Sequence, residues 1–71
     1  MELEEFVNKK AVAKWRVTED NIERYVVHSG LLRLKPGKQF SYEIINSGKV
    51  ACSFSFNDYM RKVVSLEHDS N

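Results

Sequence analysis

The sequence predicts an α+β fold, in which a small antiparallel β-meander built of hairpins carries a short helix near each end. Turn-forming residues recur about every eight to ten positions, which is the spacing of short strands joined by tight turns. Between the turns apolar and polar residues alternate, whereas both ends show helical spacing. The length of 71 residues suits a single domain, residues 1–71, with a thin core.

The clearest element is a β-hairpin over residues 39–45 and 49–56. The segment Asn46-Ser-Gly48 supplies its turn, and the Pro36-Gly37 turn joins it to a strand near residues 31–35. Alternation predicts that one aromatic-rich face of the hairpin is buried. That face carries Phe40, Tyr42, Ile44, Val50, Cys52, Phe54 and Phe56.

Residues 18–29 permit two interpretations. An N-cap residue followed by two acidic residues at their start favours a helix, whereas the β-branched pair Val26-Val27 favours a strand. We favour the strand, which returns from a turn at residues 18–21 and ends at a turn over residues 28–30. The strand before it alternates, with Ala13, Trp15 and Val17 on one side and Lys14 and Arg16 on the other.

Helices are expected at the two ends of the ordered body, residues 6–66. The first covers residues 3–10 and faces inward with Leu3, Phe6 and Val7. The second covers residues 58–66, although alternating apolar residues there also fit a strand. The acidic tail from residue 67 onward is expected to fray.

Composition places the chain in a reducing cytoplasm. The single cysteine, Cys52, excludes an intrachain disulfide, which a secreted domain of this size would usually contain. No apolar run is long enough to cross a bilayer, and the start of the chain is acidic where a targeting peptide is basic. We therefore expect no membrane partner.

Charge is unevenly distributed. The net charge is +1, but residues 6–66 carry eleven basic and five acidic residues, a net charge of +6. A basic body of this kind suits a nucleic acid or an acidic protein, and it also promotes solubility alone.

No catalytic or metal-binding constellation is visible. His28, His68 and Cys52 are far apart in sequence and lack the spacing of metal ligands. Cys52 lies mid-strand among apolar neighbours, where an inert thiol is expected. We therefore predict a non-enzymatic protein without metal, cofactor or small-molecule ligand.

Two features suggest nucleic-acid binding. Residues 48–56 loosely resemble the basic-aromatic strands that stack bases, but alternation turns Phe54 and Phe56 toward the core. If residues 18–29 were helical, residues 18–64 would resemble the winged-helix layout of phage excisionases. That helix would carry three acidic residues against one arginine and would repel DNA phosphates.

A protein partner is the favoured interpretation. In length, density of turns and charge layout, the chain is similar to small phage proteins that bind bacterial RNA polymerase. That resemblance implies a regulator in the host cytoplasm that inhibits initiation or causes antitermination. The hairpin over residues 39–56 offers an edge strand for pairing, and Tyr59 is a candidate anchor. The expected contact residues are Lys9, Lys10, Lys14, Arg16, Arg33, Lys35 and Lys38.

Overall fold

The computed structural model describes residues 2–70 as one five-stranded antiparallel sheet with two short helical segments. In chain order these are a 3-10 helix (Glu2–Phe6), β1 (Lys10–Glu19), β2 (Ile22–Leu34), β3 (Ser41–Asn46), β4 (Lys49–Ser55), α1 (Phe56–Met60) and β5 (Val64–His68). The strand order is β4-β3-β2-β1-β5. The first four strands therefore form the expected meander, and β5 is added beside β1.

The first hairpin resolves the ambiguity of residues 18–29 in favour of a strand. Its strands meet at the pair Glu19 and Ile22, and Asp20 and Asn21 form a two-residue turn with φ of 52° and 63°. Positive φ at both central residues defines a type I′ turn, whose twist matches that of the flanking strands. Asp and Asn tolerate this conformation better than other non-glycine residues. The helix required for a winged-helix layout is therefore not formed.

The turn expected at residues 28–30 is absent, because β2 continues through it for 13 residues. The separate strand expected near residues 31–35 is the last part of β2. Gly30 has a φ of 153°, and a Cβ built on it would lie 2.2 Å from the carbonyl oxygen of Ile45. Glycine is thus required here by the close approach of β3.

The second hairpin is confirmed, with strand bounds slightly different from those expected. Ser47 and Gly48 form its turn with φ of 52° and 78°. The register shifts after Ile44, which pairs with Cys52, whereas Ile45 pairs with Val50. The intervening Ala51 is an extra residue in β4, and such a bulge reverses the alternation beyond it.

Two residues expected in the core are exposed, for different reasons. Val50 lies beyond the bulge and pairs with Ile45, so its side chain leaves the face occupied by Cys52 and Phe54. Phe40 precedes β3 with a φ of 62°, outside the alternation of the strand, and its ring is also exposed. Tyr42, Ile44 and Phe54 are buried as predicted.

The core occupies one face of the sheet, which is termed the core face. Its buried residues are Leu3, Phe6, Ala11, Ala13, Leu32, Tyr42, Ile44, Phe54 and Val64. The ring of Phe54 stacks on Tyr42 at a centroid distance of 5.7 Å and meets Trp15 edge-on at 6.5 Å. Leu3 and Phe6 face inward as expected, but their helix is a single 3-10 turn that ends at Phe6, because Lys10 already begins β1.

The prediction of a helix over residues 58–66 is wrong for the second half of that segment, and the helix begins slightly earlier. It covers only Phe56–Met60, and Lys62 then turns the chain with a φ of 61°. Val64 and Leu66 pair with Trp15 and Ala13 of β1, so sheet pairing prevails over helical spacing. β5 runs to His68, into the tail that was expected to fray. Neither helical segment of residues 2–70 is long and apolar enough to cross a membrane.

A capping box starts α1 directly at the end of β4. The backbone N–H of Asp58 donates to Ser55 Oγ at 3.0 Å, and the N–H of Ser55 donates to Asp58 Oδ2 at 3.0 Å. We expect Ser55→Ala to lower the free energy of unfolding by about 1 kcal/mol, because it removes the acceptor for a helix N–H. Urea denaturation provides the measurement.

Ser53→Ala is the matched control, since Ser53 lies on the same strand, is exposed and makes no cap. Its expected effect is within about 0.5 kcal/mol. Equal losses in the two variants would show that the capping box contributes nothing.

Candidate protein-binding surface

The face of the sheet opposite the core, termed the open face, is the candidate binding surface. Strand alternation and register place on it Val12, Lys14 and Arg16 of β1, Tyr25, Val27, Leu31 and Arg33 of β2, and Glu43 and Ile45 of β3. Leu3 and Phe6 of the 3-10 helix and Phe56 and Tyr59 of α1, in contrast, pack in or against the core cluster. Within residues 2–70, no helix therefore packs on the open face.

An apolar stripe crosses this face. Its members are Tyr25, Val27, Leu31, Ile45 and Val50. Leu31 pairs with Ile45, which in turn pairs with Val50, so these three residues form one row across β2, β3 and β4. The exposed fractions are 58% for Tyr25, 54% for Val27, 43% for Leu31 and 53% for Val50, and Ile45 is half-buried. Ser29 lies between Val27 and Leu31 on this face, opposite the half-buried Val12. Exposed apolar surface with a polar border is typical of interaction sites.

A basic row borders the stripe along β1. It consists of Lys10, Lys14 and Arg16. The sheet register sets these residues directly opposite Leu31, Val27 and Tyr25, respectively. Each stripe residue of β2 therefore has a cation as its cross-strand neighbour. The arrangement matches a partner that offers apolar side chains beside carboxylates.

Two side chains at this border already form hydrogen bonds within the chain. Lys14 Nζ lies 2.7 Å from the carboxylate of Glu67, and this hydrogen bond raises the pKa of Lys14. The hydroxyl of Tyr25 donates to Glu23 Oε1 at 3.0 Å, which raises the pKa of Tyr25. Both groups keep their ordinary charge state at neutral pH, so the row stays cationic and the tyrosine stays neutral.

The seven basic residues selected from the sequence are only partly brought together. Lys10, Lys14 and Arg16 form the basic row, and Arg33 lies on the same face. Arg33 Nε donates to Glu43 Oε1 at 2.7 Å, and Glu43 is buried. This arginine thus neutralises an acid within the sheet. Lys9, Lys35 and Lys38 lie outside the row, in the segments before β1 and after β2.

The apolar stripe was missed by sequence reasoning. Its signal was present in the run Tyr25-Val26-Val27, which is apolar on both sides of a strand. A strand with one solvated face should alternate strictly. Because a turn was predicted at residues 28–30, Val27 and Leu31 were also not placed on the same strand. Tyr59, considered an anchor, is instead half-buried against the core.

Among the described residues, no three His, Cys, Asp or Glu side chains lie close enough together to hold a metal ion. Trp15 Nε1 is buried and has no hydrogen-bond partner among the described residues. It lies toward the Cys52 thiol, but the contact falls short of a hydrogen bond. Burial raises the pKa of Cys52, and Trp15 and the backbone of Ile44 offset part of this shift.

We expect Cys52 to react slowly with Ellman's reagent in the folded protein, because a raised pKa leaves less thiolate at neutral pH. The rate should keep rising with pH beyond the usual thiol pKa of about 8.5, because the thiolate fraction levels off only above the raised pKa. The same chain unfolded in urea provides the reference, and it should react several-fold faster. Equal rates before and after unfolding would contradict an inert, half-buried thiol.

No protein-family model matches the chain, and neither a curated protein nor a solved structure shows significant similarity to it.

Proposed function

We propose that this chain is a non-enzymatic regulator that binds a protein partner through the apolar stripe and the basic row. The observation that carries the proposal is the exposed apolar surface on the open face, with a cation opposite each stripe residue of β2. Desolvating such side chains against a partner supplies binding energy, while the cations give orientation. The two helical segments and the core cluster cover the middle of the other face, so we assign the binding function to the open face.

Bacterial RNA polymerase is the partner proposed first, on the basis of the resemblance to small phage regulators. Binding would then modulate transcription in the host cytoplasm, by inhibition or by antitermination. A surface on the polymerase that pairs apolar side chains with carboxylates would meet the stripe and the basic row together.

A nucleic-acid partner is the second candidate, and the alignment of Lys10, Lys14 and Arg16 favours it. Single strands are bound by basic grooves that also offer exposed aromatic rings for stacking. Tyr25 offers an exposed ring in the open-face stripe, whereas Phe54 is buried in the core and cannot stack on a base. Glu23 and Glu67 hydrogen-bond to Tyr25 and Lys14 at the same surface and would repel phosphates. We therefore favour the protein partner.

The test is a pull-down from nuclease-treated bacterial lysate at about 0.3 M salt, where contacts to phosphates are strongly weakened. Mass spectrometry then identifies the retained proteins. The proposal predicts that RNA polymerase subunits are retained after nuclease treatment. Recovery of nuclease-sensitive material alone would instead support the nucleic-acid candidate.

A further inference from the structure

The outer edge of β2 has no strand beside it over most of its length. β3 pairs with β2 only from Leu31 to Leu34, and no other described strand pairs with β2 on that side. The side-chain amide of Asn46 donates to the carbonyl of Ser29 at 2.9 Å and marks where the unpaired stretch ends. The segment from Glu23 to Val27 is termed the free edge.

The backbone groups of the free edge point away from the sheet. In a hairpin with a two-residue turn, the residues next to the turn exchange hydrogen bonds, and every second residue then does the same. Ile22 is next to the turn, so the even-numbered residues of β2 bond to β1. Glu23, Tyr25 and Val27 therefore direct their N–H and C=O groups outward. The outward carbonyl of Ser29, which accepts from Asn46, has the same orientation.

The free edge has little protection against pairing beyond the charged side chains of Glu23 and Arg24. Edge strands are commonly blunted by proline, lysine or a bulge, or are very short. Residues 22–28 contain no proline, lysine or glycine, and exposed apolar side chains flank the edge on both faces of the sheet: Ile22 and Val26 on one, Tyr25 and Val27 on the other. β4, the edge strand expected from the sequence, is bulged, begins with Lys49 and ends in serines.

We propose that the free edge pairs with the free edge of a second copy of this chain, antiparallel about a two-fold axis at Tyr25. The outward residues are centred on Tyr25, so this register matches Tyr25 with Tyr25 and Glu23 with Val27. All outward N–H and C=O groups of the two edges then find partners, in about six hydrogen bonds. The five-stranded sheet would continue through β2 into the sheet of the second copy.

Charge complementarity selects a second copy as the occupant. The hairpin tip is acidic, with Glu19, Asp20 and Glu23, whereas Lys14 lies opposite Val27 farther along the hairpin. An antiparallel copy places Glu23 beside Val27 and in one row with Lys14, whose backbone is about 10 Å away across two strand spacings. Both side chains are long enough to meet over the valine, in exchange for the contacts that Lys14 makes with Glu67 and Glu23 makes with Tyr25 in the single chain. The acidic tip is also directed toward the β3–β4 turn of the other copy, which Lys49 follows.

The dimer would carry two apolar stripes on one side. Residues paired across antiparallel strands share a face, so the open faces of both copies become continuous. Two linked sites bind a two-site partner more tightly than one site does. This pairing requires no other protein, so it stands or fails independently of the proposed function.

Sedimentation velocity of the purified chain tests the proposal, from about 1 µM to about 1 mM. We expect the mass to rise toward twice the chain mass of 8.3 kDa with concentration. Tyr25→Pro should stay monomeric at every concentration, because it removes an outward N–H that β1 does not use. Tyr25→Thr keeps that N–H and should still dimerise.

Circular dichroism establishes that each variant is folded. If Tyr25→Pro fails to fold, Glu23→Lys replaces it, since a lysine facing Lys14 of the other copy should weaken the dimer about tenfold at low salt. A wild-type chain that remains monomeric up to the highest concentration would overturn the proposal. A folded Tyr25→Pro or Glu23→Lys variant that dimerises as well as the wild type would also overturn it.

Discussion

Gly30→Ala is expected to unfold most of the protein at room temperature. The added Cβ would lie 2.2 Å from the Ile45 carbonyl oxygen and 2.8 Å from its carbon, so β3 would have to move away from β2. The φ of 153° is also unfavourable for alanine. Strain and overpacking together cost about 3–5 kcal/mol, which is comparable to the total stability of a domain this small. Thermal unfolding followed by circular dichroism measures the loss.

Gly37→Ala is the matched control for this substitution. Gly37 also has a positive φ, 73°, but a Cβ there meets nothing within 4 Å. Its expected cost is only the conformational strain of about 1–2 kcal/mol. If the two variants were equally stable, the close packing of β3 on Gly30 would be incorrect.

Val27→Glu is expected to weaken partner binding at least tenfold without unfolding the chain. Val27 lies in the middle of the stripe and is 54% exposed, so the sheet loses little burial. When a partner is bound, the new carboxylate would be desolvated among apolar groups. It would also attract the ammonium group of Lys14, its cross-strand neighbour. The measurement is the amount of polymerase subunit retained in the nuclease-treated pull-down, relative to the wild type.

The control for charge is Gln39→Glu, which adds the same carboxylate at an exposed loop position outside the stripe. Its retention of the partner should equal that of the wild type. Equal retention by Val27→Glu and the wild type would locate the binding surface elsewhere on the molecule.

Much of the meander could be predicted because its turns are encoded locally. Asn46-Ser-Gly48 favours the positive φ that a tight hairpin requires, and the alternation around it indicates two strands. Gly30 misled the prediction because it looks like a turn residue, whereas its role depends on Ile45, fifteen positions away in the chain. The segment from residue 58 onward satisfied both helical and alternating patterns. Only its pairing with β1 decided between them.

The candidate site, like the fold, could be predicted from the sequence only in part. Lys14 and Arg16 could be assigned to one side of a strand from alternation alone, and they do form the basic row. The stripe could not be predicted, because Val50 reaches the open face only through the bulge at Ala51. Leu31 joins Val27 only because β2 does not turn at Gly30. Both facts arise from pairing between strands that are distant in sequence.

The central claim, that the open-face stripe contacts a protein, is tested most directly by site-specific photo-crosslinking. A photoreactive phenylalanine analogue is placed at Val27 or Leu31, with Gln39 as the control position, and irradiated in nuclease-treated bacterial lysate. The account predicts one defined crosslinked protein from both stripe positions and none from the control, with an RNA polymerase subunit expected by mass spectrometry. Crosslinks from the control position alone, or none from either stripe position, would contradict it.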